Sequence, residues 1–395
     1  MRILATCSLG GSGHWLPLAG FLHAAMQPGD EVLVVAPPAL REMVEREGFR
    51  FEAGAEPPEA DIAPIRERLP TEPPEVAAVL GNRVLFAELA ATALLGHVDA
   101  ACRRWGPDVL LRDPCEYAGA IVAGARSIPS AQVGISQAEV EWSSLEIASP
   151  ALERHRAGLT AEIAAAPYIS RFPEVIDPSP FPSTLRYRTR RGAVPEPLPA
   201  WWNDSTTPGQ PDQRGDTDNR PLVYITFGTV LPYLSFATAA YRFALDALAD
   251  LDARVLLTVG RTFSIDRLGA PPPNAHVESW IDQDRVFRSA SVVVCHGGSG
   301  TLLGAIDADV PLVVMPFFSD QRSNGRLVDR HRLGSVVTPT MSARDQRPAF
   351  GDDDAASLAE AVSTLLADRT AADGFSEITT DWANVPTAAE IVAQM

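Results

Sequence analysis

Both halves of the chain repeat one pattern, in which a short apolar run meets a turn rich in glycine and then a helix-like stretch. RILATC (2–7) leads into SLGGSGH (8–14) in the first half, and SVVVC (291–295) leads into HGGSG (296–300) in the second. Apolar runs of this length between such turns are typical of buried strands in a parallel sheet covered by helices on both faces. The repeat therefore predicts an α/β protein with two related, doubly wound domains.

The two halves also end alike, which places two polar residues at equivalent positions. DVLLRDP (108–114) corresponds to SVVVCHGG (291–298), so Asp113 and His296 are expected to follow equivalent strands. Residues 192–221, between the halves, are rich in proline and polar residues and indicate a linker. Ligands of α/β domains bind at the carboxyl ends of the strands, so both glycine-rich turns are expected to open on one cleft. We predict these bounds: a first domain over 1–195, a linker over 196–217 and a second domain over 218–375.

Composition limits the class of protein. A chain of 395 residues suits two domains of ordinary size. The net charge of −17 opposes binding to nucleic acid or to acidic membranes. Glycines interrupt the apolar N-terminal stretch, so neither a signal peptide nor a membrane span is expected, and the simplest prediction is a reduced, cytoplasmic protein. Four cysteines without CxxC spacing indicate neither a zinc cluster nor a disulfide framework: Cys7, Cys102, Cys115 and Cys295.

The turn over residues 296–301 has the features of a phosphate site. The first amides of a helix lack partners within the helix and carry the positive end of its dipole, so they bind phosphate without a lysine. The glycines allow close approach of the backbone, Ser299 and Thr301 add hydroxyl donors, and His296 adds a ring donor. Neither a GxGxxG pattern nor a Walker lysine is present there. The alternative is a tight turn that binds nothing.

Four motifs in this order, FGT (227–229), WIDQ (280–283), HGGSGT (296–301) and DQRSN (320–324), resemble the nucleotide-sugar signature of the family 1 GT-B glycosyltransferases. The actinomycete natural-product enzymes are the most similar, and the resemblance extends to GSGHWLP near the N-terminus and LPAWW in the linker. It implies two Rossmann-like domains facing across a cleft. The first would bind the acceptor and the second the donor, and a C-terminal helix over 376–395 would cross back to the first domain.

The resemblance also implies a donor site in the second domain. Trp280 would stack on the base and the Ile281 backbone would bind its edge, while Asp320 and Gln321 would face the sugar hydroxyls. The alternatives are a core aromatic for Trp280 and a solvated loop acid for Asp320. The diphosphate would be held by Thr229, His296, Gly298, Ser299, Gly300 and Thr301.

His14 is the candidate general base, because an acceptor hydroxyl must lose its proton as it attacks the anomeric carbon. A carboxylate on its other ring nitrogen suits this role, and Asp113 matches the family's partner acid. The alternatives are a helix-capping His14 and an Asp113 that binds only a turn amide. Glu139 and Glu141 are reserve bases, although a solvated helix face is the simpler interpretation of Glu141. The acceptor candidates are Gly13, Trp15, Phe86, Glu141 and Trp142.

One departure from the family bears on the donor. Uridine-dependent relatives often carry a glutamate eight residues after His296 that binds the ribose hydroxyls, and this chain has Gly304. Thymidine donors lack the 2′ hydroxyl, so Gly304 favours a TDP-deoxysugar. Asp282 and Cys295 also depart from the family, which commonly has proline and histidine there.

The sequence thus predicts an inverting glycosyltransferase that moves a sugar from TDP to a hydroxyl of a hydrophobic natural-product aglycone, with no metal and no cofactor beyond the TDP-sugar co-substrate. A UDP-sugar-dependent transferase, a nucleotide-sugar epimerase of the same fold and a non-catalytic auxiliary homologue remain alternatives. No nucleic-acid partner is expected. The sequence leaves open a homodimer and the identities of the sugar and the aglycone.

Overall fold

A computed structural model describes most of the chain. The predicted linker over 196–217 and the LPAWW motif lie outside the described residues. The described residues are 1–9, 11–69, 72–188, 220–342, 347–368, 372–383 and 385–392.

These residues fall into two compact units. The first domain comprises the described residues of Met1–Arg190 and Thr380–Met395, and the second those of Arg191–Thr379. The C-terminal segment of the chain therefore belongs to the first domain, from Thr380 rather than from residue 376.

Seven described strands form one parallel sheet in the first domain. The order is β3-β2-β1-β4-β5-β6-β7, so the chain reverses direction along the sheet between β1 and β4, where Thr6 pairs with Arg112. All residues of β1 except the first are buried, as expected for a sheet covered on both faces. The strands are β1 (Arg2–Thr6), β2 (Glu31–Ala36), β3 (Arg50–Ala53), β4 (Val109–Arg112), β5 (Ser130–Val133), β6 (Tyr168–Ser170) and β7 (Thr184–Arg186).

Six described strands of the second domain repeat this topology in the order β10-β9-β8-β11-β12-β13. The reversal lies between β8 and β11, where Thr226 pairs with Cys295. Asp113 and His296 each follow the strand beside the reversal, so the prediction of two doubly wound sheets with equivalent strand ends is confirmed. The strands are β8 (Leu222–Thr226), β9 (Arg254–Thr258), β10 (Ala275–Glu278), β11 (Val292–Cys295), β12 (Leu312–Val314) and β13 (Gly334–Val336).

Helices connect the strands. Those of the first domain are α1 (Ser12–Ala25), α2 (Arg41–Arg46), α3 (Glu59–Arg68), α4 (Pro74–Ala78), a π-helix (Val79–Ala90), α5 (Ala91–Trp105), α6 (Tyr117–Arg126), α7 (Ala138–His155) and α8 (Leu159–Ala165). Those that follow are α9 (Ala237–Ala247), α10 (Gln283–Phe287), α11 (Ser299–Asp307), α12 (Gln321–Arg330), α13 (Asp352–Ala367), α14 (Phe375–Ala383) and α15 (Ala388–Val392).

The C-terminal segment differs from the single helix predicted over 376–395. It contains two helices, α14 and α15, with Pro386 between them. Proline disfavours helical backbone in the residue before it and donates no hydrogen bond, which separates the two. Ala388 and Ile391 of α15 are buried in the core of the first domain.

One described helical stretch, Pro74–Trp105, is long and apolar enough to cross a membrane by length and composition alone. Core helices of globular domains also meet that criterion. Here the stretch packs along α7, where Arg83 donates to the Ile147 carbonyl at 2.9 Å and Glu88 pairs with Arg154 at 2.5 Å. These contacts place it among the helices that cover the first sheet.

Candidate active site

His14 and Asp113 form a hydrogen-bonded pair at the reversal of the first sheet. His14 lies in the first turn of α1, and its Nδ1 is 3.1 Å from Oδ1 of Asp113. The Ser8 and Cys115 amides donate to the same fully buried carboxylate at 2.7 and 2.8 Å. Burial raises the pKa of Asp113, but His14 and these two amides outweigh it, so the net pKa is lowered. Asp113 is therefore an ionised acceptor that fixes the His14 ring.

This geometry does not match the alternative roles of the pair, which were a helix-capping His14 and an Asp113 that binds only a turn amide. Gly11 precedes α1, and no side chain among the described residues caps the helix at Gly11, so His14 is not a capping residue. In the tautomer that donates Nδ1–H to Asp113, the ring carries its lone pair on Nε2. The His14 side chain is 15% exposed, so the pair is partly accessible to solvent.

A buried polar network that sequence reasoning missed supports the loop after β4. The Arg112 guanidinium is 2% exposed and donates to the backbone carbonyls of Asp113 and Glu116 and to Gln132 Oε1. Glu116 caps α6 and accepts a hydrogen bond from Thr6 at 2.5 Å. Burial raises the pKa of Glu116 to about 7. An arginine at the end of an apolar strand was the available signal, since a buried guanidinium requires several acceptors.

The acceptor candidates near His14 separate into two groups. The Phe86 ring, on the π-helix, lies 5.5 Å from the His14 ring, and Gly13 is exposed. π-Helical segments are rare and occur frequently at functional sites. Trp15 is instead fully buried and packs edge-on against Phe49, so its prediction as an acceptor contact is wrong. Adjacent helical residues point about 100° apart, which turns Trp15 toward the sheet when His14 faces outward.

Glu141 is a buried structural carboxyl and not part of a solvated helix face. Its Oε1 accepts hydrogen bonds from the Ile135 and Ser136 amides, both at 2.6 Å. Burial raises its pKa to about 8, so it is mostly protonated near neutral pH and is poorly suited as a base. Glu139, in the same helical turn, is exposed. Trp142 is half-buried and packs edge-on against Phe181 at 5.1 Å.

In the second domain, the His296 ring lies between two glycine turns. A Cβ on Gly228 would lie 2.6 Å from His296 Nε2, and one on Gly298 would lie 2.4 Å from it. Burial lowers the pKa of His296 to about 4, so the ring is neutral near pH 7. Its Nδ1 is buried, and the Thr226 backbone lies close enough to the ring to oppose part of this shift. Thr229, beyond Gly228, is exposed.

Helix α11 begins beside this ring with backbone amides that have no partner in the described part of the chain. Leu302 is the first residue whose amide bonds within the helix, to the Gly298 carbonyl at 3.0 Å. The Ser299 hydroxyl donates to Asp320 Oδ2 at 3.2 Å, and the buried Asn324 amide donates to the same oxygen and to the Gly297 carbonyl. Asp320 is thus tied to the turn and is not a solvated loop acid.

Two predicted donor contacts point into the protein. Thr301 is buried, and its hydroxyl lies 3.5 Å from Gln283 Oε1, whose amide nitrogen donates toward Tyr224. Gln321 is also buried, and its Oε1 accepts from the Phe317 and Phe318 amides. Only the Gln321 amide nitrogen therefore remains for a sugar hydroxyl, and Thr301 offers its backbone amide more readily than its hydroxyl.

Trp280 is an exposed aromatic residue and does not belong to the core. It is 51% exposed, and the Arg261 guanidinium lies over its ring at 4.1 Å. The Ile281 side chain next to it is buried, which leaves its backbone as the group available to a ligand. Asp282 caps α10 by accepting from the Asp284 amide at 3.1 Å, so this departure from the family has a local structural role.

Solved structures with this fold are GT-B glycosyltransferases. SnogD of Streptomyces nogalater aligns with a TM-score of 0.72 and 24% identity over 100% of this chain and 98% of its own. The spinosyn rhamnosyltransferase SpnG aligns with a TM-score of 0.77 and 20% identity over 100% of this chain and 99% of its own. SpnG has also been solved with thymidine diphosphate and with the spinosyn aglycone. These likenesses establish the fold.

Proteins similar in sequence identify the family of glycosyltransferases to which the chain belongs. The family model "Erythromycin biosynthesis protein CIII-like, C-terminal domain" matches residues 242–395. The elloramycin glycosyltransferase ElmGT of Streptomyces olivaceus is 30% identical over 372 residues, which cover 89% of this chain and 90% of that protein. The chain belongs to the GT-B glycosyltransferases of actinomycete antibiotic biosynthesis.

Proposed function

We propose that this glycosyltransferase moves a deoxysugar from a TDP-sugar to a hydroxyl of a natural-product aglycone, with inversion at the anomeric carbon and without a metal ion. The observation that carries the proposal is the His14 ring held by a buried, ionised Asp113 at 3.1 Å. The first domain would bind the acceptor, and the second would bind the donor.

His14 acts as the base through Nε2. With Nδ1–H donated to Asp113, the Nε2 lone pair takes the proton of the acceptor hydroxyl. The acceptor oxygen then forms a bond to the anomeric carbon while the bond from that carbon to the diphosphate oxygen breaks. The electron pair of the broken bond leaves with TDP. Attack on the face opposite the diphosphate gives inversion, and Asp113 stabilises the imidazolium that forms.

The second domain holds the diphosphate through neutral donors. The chain carries a net charge of −17, so an anion must be bound by local groups. The free amides at the start of α11 and the His296 ring supply hydrogen bonds beside glycines that allow close approach. The same donors stabilise the charge that develops on the leaving group.

Two observations support a thymidine donor. SpnG, a relative in fold, binds thymidine diphosphate. Position 304 is glycine, and a Cβ there would lie 2.4 Å from the Phe287 ring, so this ring fills the space into which a glutamate would extend. One missing hydroxyl contact changes binding by only about 0.5–1.5 kcal/mol, so we expect a preference for TDP and not exclusion of UDP. Trp280 offers its exposed ring to the base.

Product analysis tests the proposal. Incubation with a panel of TDP-sugars and hydrophobic aglycones should give one glycosylated product, whose anomeric configuration by NMR is opposite to that of the donor. A retained configuration would contradict the mechanism. The donor without acceptor should stay unchanged, since turnover under that condition would indicate an epimerase. A preference for UDP-sugars in the same panel would contradict the donor assignment alone.

A further inference from the structure

The His14–Asp113 pair has a third potential metal ligand beside it. Ligand atoms of His14, Asp113 and Cys115 all lie within 4.8 Å of one another. The cysteine spacing had predicted no zinc cluster, because spacing reveals only ligands that are close in sequence. Here His14 and Asp113 are 99 residues apart and are brought together by the pairing of β1 with β4.

The three groups match the ligand chemistry of a soft divalent cation. A tetrahedral Zn²⁺ has bonds of about 2.0–2.1 Å to nitrogen and about 2.3 Å to sulfur, which places its ligand atoms roughly 3.3–3.7 Å apart. The His14 and Asp113 atoms already lie 3.1 Å apart, and the thiol lies within 4.8 Å of both. Imidazole with thiolate favours Zn²⁺ or Cd²⁺ over Mg²⁺, which prefers oxygen ligands.

Two of the three ligand residues, His14 and Cys115, are partly exposed to solvent. His14 keeps 15% of its side-chain exposure, and Cys115 is half-buried. The other three cysteines, Cys7, Cys102 and Cys295, are buried. Cys115 is therefore the most accessible thiol of the chain, and it lies two residues after the carboxylate that orients His14.

We propose that His14, Asp113 and Cys115 form a binding site for a soft divalent cation such as Zn²⁺, and that its occupancy inhibits glycosyl transfer. The Cys115 thiol loses its proton to solvent when it binds the metal. A metal on Nδ1 of His14 leaves the ring proton on Nε2, and a metal on Nε2 takes its lone pair directly. In both cases His14 cannot accept a proton from the acceptor hydroxyl. Inhibition by the cation therefore rests on the proposed function of His14 as the base, whereas binding of the cation does not.

Cadmium titration tests the binding without reference to activity. Cd²⁺ bound to a thiolate gives a charge-transfer absorbance in the ultraviolet, and Zn²⁺ should displace it while millimolar Mg²⁺ should not. Cys115→Ser is expected to abolish the absorbance, and His14→Ala to weaken Cd²⁺ binding by about tenfold or more. Cys115→Ala is a second variant with the same expected result if the serine variant folds poorly.

His276→Ala is the matched control. His276 pairs with Glu278 at 2.9 Å on the surface. Among the described residues, neither side chain belongs to a group of three or more potential metal ligands. Removal of the His276 side chain should leave the Cd²⁺ absorbance unchanged. An unchanged absorbance in Cys115→Ser would overturn the site.

Activity separates the two proposals. Zn²⁺ should lower the transfer rate of the wild-type enzyme at least about tenfold, reversibly on addition of EDTA. The activity of each variant with Zn²⁺ is compared with its own activity after EDTA treatment. Cys115→Ser should lose most of the inhibition by Zn²⁺. If Cd²⁺ and Zn²⁺ bind as described but the transfer rate stays constant, the cation site stands and the assignment of His14 as base fails.

Discussion

Replacement of Glu141 by glutamine is expected to raise the free energy of unfolding relative to wild type by an amount that increases with pH. Glu141 is buried, and burial raises the pKa of its carboxyl from 4.5 to about 8, against the opposing effect of the Ile135 and Ser136 amides. The folded protein therefore binds this proton more tightly than the unfolded chain does. The stabilisation from that proton is complete below pH 4.5 and is lost as the pH rises toward about 8.

The size of the effect follows from the same shift. One site lowers the free energy of unfolding by at most about 1.4 kcal/mol per pH unit in this interval, or about 3 kcal/mol between pH 4.5 and pH 7. Glutamine does not titrate, and its side-chain oxygen can still accept from both amides. In urea titrations, the free energy of unfolding of Glu141→Gln minus that of wild type should therefore rise from about pH 5 to about pH 8.

Glu139→Gln is the matched control, because Glu139 lies exposed in the same turn of α7. Its difference from wild type should change much less with pH, and any change should come from Asp177, whose raised pKa depends in part on the nearby Glu139 charge. Parallel curves for wild type and Glu141→Gln would refute the reasoning, and would return Glu141 to the ionised carboxylates that can act as a base.

Two further predictions concern the donor domain. Gly298→Ala should weaken TDP binding about tenfold or more, because its Cβ would lie 2.4 Å from His296 Nε2. Gly96→Ala, in α5 of the first domain, has open space around its Cβ and should bind TDP normally. Calorimetry that gave equal affinities for the two variants would contradict the assignment of His296. Gly304→Glu alone should destabilise the protein by about 1–3 kcal/mol through overpacking against Phe287, and only the double variant with Phe287→Ala should shift the TDP to UDP affinity ratio toward UDP, so wild-type stability of the single variant in thermal melts would contradict this account.

The repeated strand and glycine-turn pattern was sufficient to predict two parallel sheets, because the alternation of buried strands with helices is typical of a parallel sheet covered on both faces. The strand ends that carry Asp113 and His296 followed from that repeat. Pairing of His14 with Asp113 came from the family resemblance, and the structure brings the two side chains together at 3.1 Å.

Side-chain directions could not be predicted in the same way. Trp15 is a neighbour of His14 in sequence but faces the core, and Glu141 looked solvated at a helix start yet lies buried beneath a loop. Phe287 opposes Gly304 across two helices that are not contiguous in sequence. These contacts depend on how packed elements meet, which local periodicity does not specify.

Turnover of His14→Ala tests the central claim most directly. Loss of a general base costs about 100- to 10,000-fold in rate, so kcat should fall by that range while the Kd for TDP, measured by calorimetry, stays at the wild-type value. Asp113→Asn should lower kcat less far, since the ring survives with poorer orientation. His23→Ala, on the exposed end of the same helix, should keep both values. A fully active His14→Ala enzyme, or one that loses TDP affinity in step with kcat, would contradict the assignment of His14 as the base.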